Sequence, residues 1–274
     1  MIKVGIIGYG NMGQAIAKQL KTDYKVLVFD KDHSKLNNLS GIKTVKGIPD
    51  LVIKSDVVVL AVKPQDFEAL LNEIKTCQHH RDKLFISIAA GITISFIENI
   101  LGVVRVIRAM PNLPARIGKG VTCLTKGEFS STQDLKFADG IFKYLGEIME
   151  IGESMMNAAT AVSGSGPGFL CDLVEGKTLE EMEGFAENVF VPELTASARG
   201  LGFTAEQSVI LASSTSAGTI SVIKDMHISP RELKNQVTSK NGTTQAGLKE
   251  LKQNINNLDI AVKAALRRAE ELSS

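Results

Sequence analysis

The stretch KVGIIGYGNMG, Lys3 to Gly13, decides how the first half of the chain folds. An apolar strand runs into Gly8-Tyr9-Gly10-Asn11-Met12-Gly13. A helical segment follows to Lys21, and a second apolar strand, Lys25 to Asp30, closes on an acid. The glycine spacing has a physical reading. Gly8 permits a tight turn off the strand, Gly10 lets a pyrophosphate come close to the backbone, and Gly13 lets the helix pack on the sheet. The free N–H groups and positive dipole end of that helix then point at the phosphates. An acid at the tip of the second strand, about 20 residues on, accepts hydrogen bonds from ribose hydroxyls. Glycine-rich turns alone are common. Strand, helix, second strand and acid in this order predict a dinucleotide site built on Gly8, Gly10, Asn11, Met12, Gly13 and Asp30.

The alternation continues beyond it. Asp56 to Val62 is an almost unbroken β-branched run, as in a central parallel strand covered on both faces. Leu84 to Ala89 and Val103 to Ala109 read as further strands, separated by a helical segment from Thr93 to Leu101. This pattern predicts an α/β fold with a doubly wound, mostly parallel sheet, whose ligands bind beyond the carboxyl ends of the strands. The loops at those ends are unusual. In Ala61-Val62-Lys63-Pro64 a proline holds the residues before it extended beneath a bound cofactor. Ile88-Ala89-Ala90-Gly91 offers small residues for close approach. In Arg108-Ala109-Met110-Pro111-Asn112-Leu113-Pro114 two prolines stiffen the loop. There the Asn112 amide is placed to meet a nicotinamide or its ribose, whereas Arg108 reads as a structural ion pair.

From about Ser154 helical periodicity replaces the strand–helix rhythm, over Ala186 to Ala198, Glu206 to Ile223 and Ile260 to Leu272. The expected division is therefore 1–153 for the dinucleotide-binding domain and 154–274 for an all-helical one. Val262, Ala265, Leu266 and Ala269 form an apolar stripe suited to core or to a subunit contact. Two segments of this half do not read as plain packing. Ala161 to Phe169 holds a Ser/Gly turn feeding a helix, and Pro230 to Leu248 gathers hydroxyls and glycines immediately before another. Both suit a small carboxylate.

Composition narrows the function classes. With 274 residues, 44% of them hydrophobic, the chain buries a sizeable core. A net charge of +1 with acids and bases interspersed gives no electrostatic footprint for nucleic acid or a membrane surface. Cys77, Cys123 and Cys171 are odd in number and widely spaced, which argues against a disulfide framework or zinc site and for a reducing compartment. His33, His79, His80 and His227 lack metal-ligand spacing, so no metal site is expected. Met1 leads straight into the first strand with no basic leader, and no apolar run is long enough to span a bilayer. A cytoplasmic enzyme is the expectation.

The glycine turn, AVKP at Ala61 to Pro64, AAG at Ala89 to Gly91, RAMPN at Arg108 to Asn112, SGSGP at Ser163 to Pro167 and S-x-x-G-T-T at Ser239 to Thr244 follow one another in a recognisable order. The ordered set resembles pyrroline-5-carboxylate reductases over nearly the whole chain. The resemblance implies a Rossmann-type domain followed by an all-α dimerisation domain, and a homodimer or higher homo-oligomer built through the latter. It implies reduction of the cyclic imino acid 1-pyrroline-5-carboxylate to proline by NADH or NADPH. Carried over by position, Gly8, Gly10, Asn11, Met12, Ala61, Val62, Lys63, Pro64, Ala89 and Ala90 hold the cofactor. Ser239, Thr243 and Thr244 hold the substrate, with Thr244 the catalytic candidate. The chemistry needs no strong acid, because a protonated cyclic imine is itself electrophilic and a threonine hydroxyl can hydrogen-bond its nitrogen. Hydroxy-acid dehydrogenases need a general base, and their G-x-x-K-x-x-N pattern is absent here.

The chain also departs from the family pattern. Leu113 stands where a threonine is usual, and Ser239-Lys240-Asn241-Gly242 stands for Ser-Pro-Gly-Gly. Asn241 tolerates a left-handed backbone, so the turn is expected to survive. The segment from Pro167 to Gly200 is longer than the single helix expected and reads as interrupted at Gly176 and Pro192. Asp30 favours NADH, because a carboxylate repels a 2′-phosphate and binds a 2′-hydroxyl; Lys31 beside it offsets part of that repulsion. Two other functions compete: a related imine or ketimine reductase with an altered pocket, and a dinucleotide-binding regulator without turnover.

Overall fold

In chain order the strands are β1 (Lys3–Ile7), β2 (Lys25–Phe29), β3 (Lys43–Thr44), β4 (Val57–Leu60), β5 (Leu84–Ser87), β6 (Arg105–Pro111), β7 (Gly120–Lys126) and β8 (Gly146–Glu150). In this computed structural model, which describes residues 1–254 and 257–273, they form one sheet in the order β3-β2-β1-β4-β5-β6-β7-β8. The pairs from β3 through β6 are parallel. The helices α1 (Asn11–Leu20), α2 (Ile48–Lys54), α3 (Phe67–Thr76), α4 (Ile94–Leu101) and α5 (Thr132–Phe142) connect them. The fold is the doubly wound one that the sequence predicts.

The reason is visible in β4. Its four residues, Val-Val-Val-Leu, are all buried, so a strand without alternation sits where both faces are covered. Leu51, Val58, Leu60, Phe67, Leu71 and Phe85 share the core that packs α2 and α3 on the sheet. Arg108 is 2% exposed and donates from Nη1 to Glu153 Oε1 at 2.7 Å, the ion pair expected of it. The expected strand at Val103 begins later, at Arg105, because Gly102 ends α4 with φ +83° and Val103 is exposed. Strands β3, β7 and β8 carry weaker patterns. Thr122, Cys123 and Thr125 are buried in β7, where polar hydroxyls mask the run.

The chain divides into two compact units. One comprises Met1–Ala109 with Leu124–Glu153; the other comprises Met110–Cys123 with Ser154–Ser274, so the stiff loop after β6 groups with the helical half. That half carries α6 (Met156–Ala159), α7 (Gly166–Leu173), α8 (Leu179–Phe185), α9 (Val191–Gly200), α10 (Ala205–Met226), α11 (Pro230–Val237), α12 (Thr243–Gln253) and α13 (Leu258–Glu271). Val262, Ala265 and Ala269 of the expected α13 stripe are fully buried.

Two expectations are corrected here. The Ser/Gly stretch at 163–166 is not an open turn. It continues a helix through a π turn at Thr160–Gly164, and Ser163 is buried with its hydroxyl donating to the Ala159 carbonyl. Likewise Pro192 does not break the chain: a π turn at Ala186–Phe190 joins α8 to α9. Each π turn lies just ahead of a proline, Pro167 or Pro192. The wider turn relieves the missing N–H that would otherwise kink an α-helix. Gly176, at φ +85°, lies in the turn that follows the end of α7 at Leu173, and Thr178 then starts α8 with a capping box to Glu181.

Candidate functional site

The register of the sheet builds the first site. Ile7 pairs with both Phe29 and Leu60, so β1, β2 and β4 end at one level. Gly8, Asp30 and Ala61 therefore leave the sheet side by side, at the point where strand order reverses between β1 and β4. There a crevice of about 540 Å³ is walled by Gly8, Gly10, Asp30, Ala61, Val62 and Lys63, together with Lys31 and Lys35. That volume lies within the range of small-molecule and cofactor sites.

Each glycine has an identifiable task. Gly8 turns with φ +100°, a conformation that side chains disfavour. A Cβ on Gly13 would overlap the Gly8 carbonyl, so α1 packs at this depth only without one. A Cβ on Gly10, by contrast, would meet nothing within 4 Å, because it would project into the open crevice. Gly10 is also the N-cap of α1 and supplies no side-chain cap, which leaves the first-turn N–H groups at Asn11, Met12 and Gly13 for a ligand. The empty space before Gly10, facing an uncapped helix terminus, fits a pyrophosphate. Lys63 is extended, with φ −70° and ψ 149°, and Pro64 begins a short 3-10 turn, as the proline reading requires. Ala89 and Ala90 follow β5 and are not part of the crevice wall.

Asp30 is more constrained than its sequence position reveals. It is 7% exposed, and its Oδ2 accepts the Tyr9 N–H at 2.6 Å while Oδ1 accepts the Asp32 N–H at 2.8 Å. The Lys35 ammonium stands 3.3 Å from Oδ1 and 3.4 Å from Oδ2. Burial by itself raises the carboxyl's pKa; the two backbone donors and Lys35 outweigh that and hold it below the usual carboxylate range. Asp30 thus ties the glycine turn to the end of β2. Lys35 was not singled out from the sequence, although a base five residues beyond the acid is a readable cue.

In the helical unit the residues of the second site also come together. Asn241 takes the left-handed backbone expected of it, at φ 59°, and the Gly242 N–H closes the turn on the Ser239 carbonyl at 3.1 Å. Gly242 is the N-cap of α12 without a side-chain cap. Thr243 and Thr244 form the first turn, and Ser165 Oγ donates to Thr243 Oγ1 at 3.0 Å. Thr244 is 5% exposed, yet among the described residues its hydroxyl has no protein partner. Asn112, expected to meet the nicotinamide or its ribose, makes two hydrogen bonds within the protein. It is 2% exposed, with Oδ1 accepting the Val121 N–H at 2.9 Å and Nδ2 donating to Thr215 Oγ1 at 3.4 Å. Its amide is spent on holding the loop after β6, which only tertiary structure reveals.

A doubly wound sheet with a dinucleotide crevice at its switch point, joined to a helical unit, defines a two-unit nicotinamide-dependent oxidoreductase. The family model "NADP oxidoreductase coenzyme F420-dependent" matches residues 3–91, and the model "Pyrroline-5-carboxylate reductase dimerisation" matches residues 186–272. The chain is 32% identical to the pyrroline-5-carboxylate reductase of Aquifex aeolicus, over 92% of this chain and 89% of that protein. The solved pyrroline-5-carboxylate reductase of Coxiella burnetii is 30% identical, with a TM-score of 0.65 over 99% of this chain and 98% of that one. The Plasmodium falciparum pyrroline carboxylate reductase, solved with NADP bound, is 26% identical with a TM-score of 0.63, covering 100% and 98% of the two chains. The chain belongs to the pyrroline-5-carboxylate reductase family.

Proposed function

We propose that this chain reduces 1-pyrroline-5-carboxylate to L-proline, acting as a homodimer or higher homo-oligomer assembled through its helical unit. The reading rests chiefly on Thr244, a nearly buried residue on the first turn of an uncapped helix whose hydroxyl takes no protein partner among the described residues. Gly8, Gly10, Asn11, Met12, Gly13 and the Ala61–Pro64 loop hold the dinucleotide, with Ala89 and Ala90 on the nicotinamide side. When bound, the reduced nicotinamide supplies the hydride. Ser239, Thr243 and the α12 N–H groups bind the substrate carboxylate. The Thr244 hydroxyl oxygen accepts a hydrogen bond from the N–H of the protonated imine and so favours that electrophilic form. Orientation of two planar reactants is worth roughly 7–11 kcal/mol in well-aligned systems, so a site of hydroxyls and N–H groups suffices.

NADH is the preferred donor in this reading, because Asp30 opposes a 2′-phosphate. Lys35 stands against both Asp30 oxygens, which keeps the preference narrow. Three free, buried thiols support a cytoplasmic setting. The assay is consumption of reduced nicotinamide with pyrroline-5-carboxylate and with other cyclic imines, alongside rescue of a proline auxotroph. Thr244→Ala is expected to lower kcat by about 10²-fold, the scale of one positioned group that stabilises charge at the reacting centre. Turnover confined to a different imine would favour the altered-pocket reductase; dinucleotide binding with no turnover would favour a regulator.

A further inference from the structure

We propose that the 166–169 stretch of α7, with Ser165 just before it, is a template that sets the Thr243 and Thr244 hydroxyls, with Ser165 and Gly168 as positioning residues for imine reduction. The proposal rests on the reading of Thr244 given above. Its basis is the way α7 and α12 mesh. A Cβ on Gly168 would overlap the Thr244 Cγ2 methyl and would lie 3.7 Å from Val237 Cγ1, so Thr244 is seated in a notch that exists only because residue 168 is glycine. One residue on, the relation reverses: a Cβ on Gly247 would overlap the Phe169 ring and come within 2.7 Å of the Ala261 carbonyl. Threonine against glycine and phenylalanine against glycine, alternating between two helices, fix both the depth and the rotation of α12.

Ser165 adds a polar pin at the same end. It is fully buried, and its hydroxyl engages Thr243 Oγ1 at 3.0 Å and the Thr160 carbonyl at 3.3 Å. The Thr160 carbonyl is turned toward it by the π turn of 160–164. The Thr160 carbonyl already accepts the Ser165 N–H at 3.0 Å, so the single Ser165 hydroxyl proton goes to the nearer Thr243 Oγ1, and the Thr243 hydroxyl keeps its own proton to offer a carboxylate. The notch leaves the Thr244 methyl on the α7 side and its hydroxyl without a protein partner. A motif that reads as a carboxylate-binding turn therefore acts one step back, through the residues it holds.

Two double-mutant cycles test this, each read by steady-state reduction of pyrroline-5-carboxylate with NADH, with NADH affinity and melting temperature measured on every variant. Gly168→Ala is expected to lower kcat/KM by about 30-fold with Thr244 present, within the loss that a misplacement of about 1 Å produces. Thr244→Ser keeps the hydroxyl and removes Cγ2, itself costing a few-fold. In that background Gly168→Ala is expected to cost roughly two-fold or less, the non-additivity of residues sharing one contact. Equal costs in both backgrounds overturn the proposal, as does a loss carried wholly by NADH affinity or melting temperature. If Gly168→Ala yields no folded protein, the second cycle decides. Ser165→Ala is expected to cost about ten-fold with Thr243 present and nothing further beside Thr243→Val; equal costs overturn it. A fully active Thr244→Ala with unequal cycle costs overturns the Thr244 reading alone. An inactive Thr244→Ala with equal cycle costs overturns the template alone.

Discussion

Asp30 shows how one side chain serves position and specificity together. Its carboxyl is held below the ordinary range because the Tyr9 and Asp32 N–H groups and Lys35 outweigh the cost of burial. A depressed folded value means that its stabilising contribution is complete above the unfolded value of about 3.9 and disappears as pH falls through the folded one. Asp30→Asn is therefore expected to flatten the acid limb of stability, measured as melting temperature against pH below about 4. An unchanged limb would mean that Asp30 is not the group responsible. Lys35 belongs to the same balance. Lys35→Met is expected to shift the ratio of kcat/KM for NADH over NADPH upward by about ten-fold, the equivalent of one charge interaction of about 1.4 kcal/mol. Wild-type preference for NADPH, or no shift in Lys35→Met, would contradict the assignment of this end of the crevice.

Among the elements, the turn from β1 into α1 separates packing from ligand binding within a few residues. Gly10→Ala adds a methyl that meets no protein atom, and the backbone there, φ −80°, is open to any side chain. Its stability is expected to stay near wild type while dinucleotide affinity falls by about ten-fold or more, a loss of about 1.4 kcal/mol or greater. Gly13→Ala drives a methyl into the Gly8 carbonyl, and is expected to cost about 1–3 kcal/mol of stability, as overpacking does. Chemical denaturation together with nucleotide titration distinguishes the two; equal behaviour would show that Gly10 does not face the phosphates. The helical unit shows the opposite case. Pro192 reads as an interruption, yet it is absorbed by a π turn just ahead of it, because helix-to-helix packing stabilises a hydrogen-bond shift that local propensity disfavours.

At the scale of the molecule, the two halves follow different rules of legibility. The sheet half was readable from Lys3 onward, because a strand buried on both faces needs an apolar run such as Val57–Leu60 and a phosphate turn needs its glycines. Strand β7 escaped because Thr122 and Thr125 are buried there. The helical half was readable as helices, but not in the way its helices mesh. Residues 186–272 match a dimerisation model, so light scattering is expected to give a mass that is a multiple of the 29.5 kDa chain; a monomer at micromolar concentration would contradict the assembly. All three cysteines are free and buried, and burial pushes the Cys123 and Cys171 thiols up to about 12. They are expected to react with a disulfide reagent only on unfolding, so rapid modification of the native protein would show that the core opens.

The sequence by itself determined the parts that depend on local physics. These are the glycine turn, the parallel strands, the acid closing β2, the left-handed Asn241 and the hydroxyl cluster before α12. Their spacing is dictated by one chain segment meeting one ligand or one neighbouring strand. Tertiary structure alone decided what long-range partners do with the remaining polar groups. It took the Asn112 amide for Val121 and Thr215, buried Ser165 against Thr243 and fitted Thr244 into the space left by Gly168. A buried donor or acceptor must find a partner, and in a folded chain that partner is chosen by which elements pack together, a choice no short stretch of residues encodes.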